Sequence, residues 1–309
     1  MMKKVAVAVA IGIATLTLQA QSVQSAVNAA FAKYKDLKEG KNADYIPVLA
    51  KVNPDLYGIA LVDVTGKVVT AGDVSTEVSI QSVSKVFTMA RVIEDQGPEA
   101  IEKTIGVDAT GLKFNSIVSI EIAKKLEGGP ELNPLVNPGA ITATSMVQGA
   151  TADDVWAKII GTYNDFAGRP LKVLQDVYRS ESETNQRNQA IGMLMYAYDY
   201  IKKNPAQATD LYTRQCSVGV NAKDLAVMAT AGLYDDSGKW LYHTGLPAKS
   251  GVGGGIIAVA PGKYGIAVVS PPLDGAGNSV RAQKAIRDIV RDLGINPYAS
   301  RPMTASPSR

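Results

Sequence analysis

Gln81-Ser82-Val83-Ser84-Lys85 marks the point where a strand-like stretch gives way to a helix. Beyond it Val83, Val86, Phe87, Ala90 and Ile93 recur at helical spacing. Gln96-Gly97-Pro98 then supplies a glycine stop followed by a proline. Ser82 and Lys85 are three residues apart, so one turn puts both on the same face. A serine hydroxyl is a weak nucleophile until a neighbour takes its proton. A lysine can do this only when burial or a nearby positive group lowers its pKa. The amide of a serine at a helix start also points at the site, where the helix dipole favours developing negative charge. Taken alone, the pattern reads more readily as an N-cap serine with a surface lysine in the first turn, because Ser-x-x-Lys occurs often by chance.

The far end of the chain changes that balance. Lys249-Ser250-Gly251-Val252-Gly253-Gly254-Gly255 leads into a strand. Lys-Ser/Thr-Gly on an edge strand beside a Ser-x-x-Lys helix is the two-part signature of serine acyl-transferases of the β-lactamase and penicillin-binding type. Glycines let a substrate approach the backbone closely. The amide of Val252 is then a candidate second oxyanion donor opposite that of Ser82. Alone, the glycine run reads as a flexible turn. Both motifs in this order, at opposite ends of a helical insert, favour catalysis.

Working outward, residues 57–63 read as a strand, Thr65-Gly66 as a turn and 67–71 as the return strand. Gly255–Ala260, the turn Pro261-Gly262-Lys263 and Tyr264–Ser270 form a second such pair. A final helix carries Ile286, Ile289, Val290 and Leu293 on one stripe, with Gly294 as its stop. Between them the pattern predicts helices at 84–95, 140–148, 151–161, 185–203 and 221–230. Isolated hairpins are marginal, so the economical arrangement is one antiparallel sheet built from both chain ends. This gives an α+β fold: sheet from about 27–81 and 245–298, with an inserted helical lobe over about 82–244 and a cleft between. Residues 299–309 are polar and Pro/Ser-rich and read as a disordered tail.

Composition narrows the chemistry. The chain has 309 residues, 46% hydrophobic and 20% charged, which suits a globular protein with a sizeable core. It holds one cysteine, Cys216, and one histidine, His243. An internal disulfide framework is excluded, a Cys/His zinc cage is disfavoured, and a Ser-His-Asp triad has only His243 to use. No metal or other cofactor is expected. The formal charge of +3 includes Lys3 and Lys4, and residues 5–26 carry none, so the remainder is +1. Nucleic acid is a poor partner for such a chain. Residues 1–26 have the layout of a secretory signal: Lys3-Lys4, a 14-residue uncharged run from Val5 to Leu18, then Ala20, Ser25 and Ala26. The run is shorter than the roughly 20 residues that span a bilayer. Cleavage is expected near Ala20 or Ser25/Ala26, giving a periplasmic or secreted protein; an uncleaved chain would be cytoplasmic.

These residues and further strings resemble the bacterial serine-dependent glutaminases, which are similar in fold to β-lactamases. The resemblance covers roughly 27–296. It rests on Asn42-Ala43-Asp44-Tyr45-Ile46-Pro47, the Ser82–Lys85 motif, Leu135-Val136-Asn137-Pro138-Gly139-Ala140, Ser180-Glu181 with Asn185 and Asn188, Tyr212-Thr213-Arg214-Gln215-Cys216-Ser217, Gly232-Leu233-Tyr234, Lys249–Gly255 and Ser270-Pro271-Pro272-Leu273-Asp274. It implies hydrolysis of L-glutamine to L-glutamate and ammonia, without a cofactor, by a homodimer or homotetramer. Position by position, Ser82 matches the nucleophile and Lys85 the lysine one turn on. Asn137, Glu181, Asn188, Tyr212, Tyr234 and Val252 match substrate-contacting positions, and Tyr45 matches a further tyrosine near the site. Lys249, Ser250 and Gly251 are the supporting motif. The chemistry agrees: a carboxylate such as Glu181 suits the α-ammonium of glutamine, and Asn137, Asn188 and Tyr212 can donate to its carboxylate or amide. A Lys85–Tyr234 pair would shuttle the proton, with either group as the base.

One departure keeps alternatives open. Only 14 residues, Val218–Ala231, separate Ser217 from Gly232, whereas family members carry a longer stretch. About thirty residues of helix and loop are absent by this comparison, which motivates a catalytically impaired glutamine-binding protein. The export signal and the two motifs also suit a periplasmic β-lactamase-like or DD-peptidase-like serine acylase, although no Ser-Asp-Asn string is found.

Overall fold

In the computed structural model the residues described are 23–125, 132–228, 240 and 244–297. Five strands make one antiparallel sheet: β1 (Gly58–Asp63), β2 (Val68–Gly72), β5 (Ala248–Ser250), β6 (Gly255–Ala260) and β7 (Tyr264–Val269), in the order β2-β1-β7-β6-β5. The seam between the chain's two ends is the β1–β7 pair, with Ile59 opposite Val268 and Leu61 opposite Ile266. The two hairpins therefore stabilise each other, as isolated hairpins could not. A two-stranded ribbon, β3 (Val78–Ser79) with β4 (Gly219–Val220), sits apart from this sheet.

Both faces of the central strands are buried, which is why these strands read as nearly continuous apolar runs. Ile59, Leu61, Ile256, Ala258, Ile266 and Val268 point to the outer face. There they pack under the helix over residues 23–34 (α1) and the C-terminal helix Val280–Leu293 (α12). Ser279 caps α12 by accepting from Ala282 N, and Gly294 ends it in the left-handed conformation, at the predicted stop. Val23 and Ala26 of α1 are buried here, so this packing reaches into the stretch 1–26 read as an export signal. The rest of that stretch, 1–22, and the tail from 298 onward lie outside the described residues.

Ala60, Ile257, Ala267 and Val269 face the other way, into the helical lobe. The lobe comprises α3 (Ser84–Gln96), α4 (Pro98–Thr104), α5 (Val118–Lys125), α6 (Asn137–Met146), α7 (Ala152–Ala167), α8 (Gln175–Thr184), α9 (Gln186–Ala197), α10 (Pro205–Cys216) and α11 (Ala222–Met228). A short helix, α2 (Pro47–Ala50), lies against α8. Phe87 of α3, Ile141 of α6 and Ile159 of α7 are fully buried in the lobe's core. Burial of each such side chain contributes about 2 kcal/mol.

The helix predicted over 185–203 is shorter, α9 (Gln186–Ala197) alone. α9 stops at Ala197, the chain passes through Asp199 at φ +66, and α10 starts behind Asn204-Pro205. Asn204 accepts from the amides of Ala206 and Gln207, and Pro205 occupies the first helical position, where its missing N–H costs nothing. α10 was not predicted at all, yet it carries Tyr212 to the cleft.

Candidate active site

Ser82 is the middle residue of a 3-10 turn, Gln81–Val83, that runs directly into α3. The chain enters this turn through Gln81 at φ +48, a left-handed conformation that non-glycine residues seldom adopt. Gln81 is fixed there by its side chain, whose Nε2 donates to Ser79 Oγ and Glu181 Oε2, both at 3.2 Å. Ser82 does not cap α3, because the capping position is Val83 and no side chain bonds there. Lys85 is 1% exposed. The cap-and-surface-lysine reading of this motif therefore fails on both residues.

Lys85 Nζ donates to Asn137 Oδ1 at 2.7 Å and to Leu135 O at 3.2 Å. Burial lowers its pKa to about 8, against the attraction of Glu181. It shares a face with Ser82 but makes no hydrogen bond to it here. Such contacts commonly form only with substrate in place.

Asn137, the first residue of α6, is a hub. Its Oδ1 also accepts from Tyr212 OH at 3.2 Å, and its Nδ2 donates to Asn188 Oδ1 at 2.8 Å. One amide thus joins Lys85, Tyr212 and Asn188, from three separate helices. Across the cleft on α8, buried Glu181 has its pKa pushed up to about 7 by desolvation, with the Gln81 bond and Lys85 holding it down. Tyr45 is 57% exposed, yet its phenol pKa is raised, first by burial and then by the Glu181 charge.

The second motif arrives on β5. Lys249 is fully buried, its Nζ donates to Ser250 O at 2.5 Å, and its pKa is held well below the usual lysine range by burial and then by Lys85. Two buried lysines that repel each other favour the neutral amine in at least one. The glycines after Ser250 matter for contact. A Cβ on Gly251 would stand 2.8 Å from Ile80 O, and one on Gly253 would stand 2.4 Å from Ser79 O. Residues 251–253 therefore lie directly on 79–81, with Val252 between them and next to the nucleophile's turn. Val252 packs with Ile46 and Val177, which joins this segment to the Tyr45 loop and to α8.

The structure thus brings together Ser82, Lys85, Asn137, Glu181, Asn188, Tyr212, Lys249, Ser250, Gly251 and Val252, with Tyr45 at the rim. Tyr234 lies outside the described residues. Sequence reasoning assigned no role to Gln81, although it was quoted beside the nucleophile, nor to the carbonyl of Leu135. Buried Cys216 lies 3.7 Å from Ser84 Oγ, and its thiol pKa is pushed up to about 12 by burial, so it is no rival nucleophile. Among the described residues no group of three or more His, Cys, Asp or Glu could hold a metal ion.

The glutaminase family model matches residues 40–230 and 225–298. This chain belongs to the glutaminase family. It is 48% identical to a glutaminase of Colwellia psychrerythraea, over 89% of this chain and 97% of that one. It is 42% identical to a glutaminase of Mycobacterium ulcerans, over 89% and 94%. Among solved structures, the probable glutaminase ybaS superposes with a TM-score of 0.86 at 40% identity, covering 91% of this chain and 99% of that one. Mglu in its glutamate form gives 0.81 at 31%, over 90% and 70%. The β-lactamase-like fold of the glutaminases is thus the fold of this chain. The family match is broken at 225–230, residues that end one part and begin the other, at the end of α11. The Colwellia alignment has 306 positions but uses 89% of 309 residues, about 275, so about 31 of its positions face a gap in this chain. The break in the family match falls within the short 218–231 segment.

Proposed function

We propose that this chain hydrolyses L-glutamine to L-glutamate and ammonia through an acyl-enzyme on Ser82. The carrying observation is the contact between the turn 79–83 and the glycine segment 251–253, with Glu181 on one side and the Asn137 network on the other. Glu181 takes the substrate α-ammonium. Asn137, Asn188 and Tyr212 orient its carboxylate and side-chain amide. Neutral Lys85 accepts the Ser82 proton as Oγ attacks the amide carbon. The amides of Ser82 and Val252 hold the resulting oxyanion. The carbon–nitrogen bond then breaks, Lys85 returns its proton to the leaving nitrogen, and ammonia departs. Water, deprotonated by the same amine, cleaves the glutamyl ester and restores Ser82. Tyr234 serves as relay partner of Lys85 in this scheme.

The test is ammonia release from L-glutamine by the full chain and by Ser82→Ala. The variant should lose turnover by about 10³-fold or more while keeping its melting temperature. Full turnover in Ser82→Ala removes the proposed nucleophile. The shortened segment supports a second reading, a glutamine-binding protein of impaired activity, which calorimetric glutamine binding without ammonia release would establish. Covalent labelling of Ser82 by a penicillin would favour a serine acylase instead. Export and a homodimeric or homotetrameric state belong to the same proposal; N-terminal sequencing of the mature protein and light scattering test them.

A further inference from the structure

The break between α8 and α9 holds a side chain that the proposed reaction does not use. Asn185 ends α8 and starts α9, at φ −96 and ψ 22. Asparagine is favoured at a helix start because its side-chain oxygen accepts from the first free amides. Asn185 does not do this, and no side-chain bond caps α9. Its Nδ2 instead donates to Thr213 Oγ1 of α10 at 3.0 Å, and its Oδ1 accepts from Gln189 Nε2 at 2.6 Å. Thr213 Oγ1 donates its own proton to Thr209 O at 3.0 Å, which leaves a lone pair for the Asn185 amide. Asn185 is 8% exposed and Thr213 is fully buried, so water competes little for this bond.

Its place in the site gives the bond a consequence. Glu181 lies one turn before the break, on α8, and Asn188 lies in the first turn beyond it, on α9. Thr213 adjoins Tyr212, and both Tyr212 and Asn188 bond Asn137. The Asn185–Thr213 bond therefore closes a ring that runs through Tyr212, Asn137 and Asn188 back to Asn185. α9 is pressed onto α10 independently, since a Cβ on Gly192 would stand 2.5 Å from Thr209 Oγ1. α8 is anchored to α10 at both ends, by Leu174 N donating to Ser217 O at its start and by Asn185 at its end. Gln81 Nε2 holds the Glu181 carboxylate itself, while Asn185 holds the helix under it.

We propose that Asn185 is a positioning residue: through Thr213 it sets the separation between Glu181 and the Asn188–Tyr212 pair, and with it the preference for substrates that carry an α-ammonium. The inference rests on the assignment of Glu181 to that ammonium. A binding constellation works only when held to within about 0.5 Å. A charge-assisted hydrogen bond is worth about 10- to 100-fold in affinity, so a carboxylate displaced with its helix loses much of that factor. The contacts made from α9 and α10 stay in place, because Gly192 and Asn137 hold those helices together.

The experiment compares two ligands on the full chain carrying Ser82→Ala, which removes turnover from the measurement. L-Glutamine is titrated by calorimetry, and glutaramate, which is glutamine without its α-amino group, by displacement of glutamine. Asn185→Ser keeps a favoured helix-start residue but is too short to reach Thr213. It should weaken glutamine about tenfold and glutaramate less than about twofold. Thr213→Val should split the two ligands in the same way, and Thr213→Ser should keep the parent's selectivity. The double variant Asn185→Ser/Thr213→Val should lose no more than either single variant, since both remove one bond. A merely structural role would weaken both ligands alike, and that result, or unchanged selectivity, overturns the inference. Should Asn185→Ser fail to fold, the Thr213→Val and Thr213→Ser pair decides. Glu181→Gln separates this inference from the reading beneath it. If Glu181→Gln abolishes the preference for glutamine and Asn185→Ser does not, the role of Asn185 alone is refuted. If Glu181→Gln leaves the preference intact, or glutamine does not bind, the ammonium assignment falls and this inference with it.

Discussion

Consider Glu181→Gln, a nearly isosteric change that removes one charge from the cleft. In the fold the carboxyl is held at about 7, against an ordinary 4.5, because it is buried. A raised carboxyl pKa means that the native state prefers the protonated form. The associated stability is fully present below 4.5 and is lost as pH rises through 7. At about 1.4 kcal/mol for each pKa unit, the ionised group costs the fold about 3 kcal/mol at pH 8 and about 1 kcal/mol or less at pH 5. Glutamine carries no such cost. Urea denaturation should therefore find the variant more stable than the parent by about 3 kcal/mol at pH 8, with the gap closing toward pH 5. Binding should move the other way. Loss of a charge-assisted hydrogen bond to the α-ammonium, about 1.5–3 kcal/mol, should raise the glutamine KM about 10- to 100-fold. A variant less stable than the parent at pH 8 would refute the burial argument. An unchanged KM would remove Glu181 from the ammonium site.

Lys85→Arg should lose turnover by about 10²-fold or more, since a guanidinium cannot accept the serine proton. The parent's kcat should rise with pH through about 8, because burial lowers the Lys85 pKa and the neutral amine is the working form. Asn137→Asp places a carboxylate where Lys85 Nζ now finds an amide oxygen at 2.7 Å, so the acid limb of the kcat profile should move upward by about one pH unit or more. Gly253→Ala should lower both stability, by about 1–3 kcal/mol, and kcat, because its Cβ meets a backbone carbonyl that cannot swing aside. Gly161→Ala, in α7 where a Cβ meets nothing within 4 Å, should instead stabilise by about 0.5–1 kcal/mol and leave kcat unchanged. Thermal melts and steady-state ammonia release check both glycine variants.

The strands and α12 were legible because burial imposes a simple local pattern. Gly255–Ala260 and the Ile286, Ile289, Val290 stripe occur where expected, since each element carries its own period and its own stop. The helical lobe was less legible. α4, α5, α8 and α10 were not predicted, and 185–203 was read as one helix. α8 and α9 are separated only at Asn185, and α9 ends at Ala197, short of the expected 203 and before the Asn204-Pro205 cap that starts α10. Where an amphipathic run stops being helical depends on which faces have partners, and those partners lie elsewhere in the chain.

The site divides the same way. Ser82, Lys85 and the Lys249–Gly255 run announce themselves by spacing, because a nucleophile, its base and an oxyanion donor need fixed separations. The apolar strands at both chain ends, and the expectation of one sheet built from them, follow from local patterns as well. Only the folded chain decides that Lys85 is buried and depressed to about 8, that Glu181 is held near neutrality, and that Asn137 gathers three partners from separate helices. Protonation states depend on how much water and how many charges surround a group, and tertiary packing sets both.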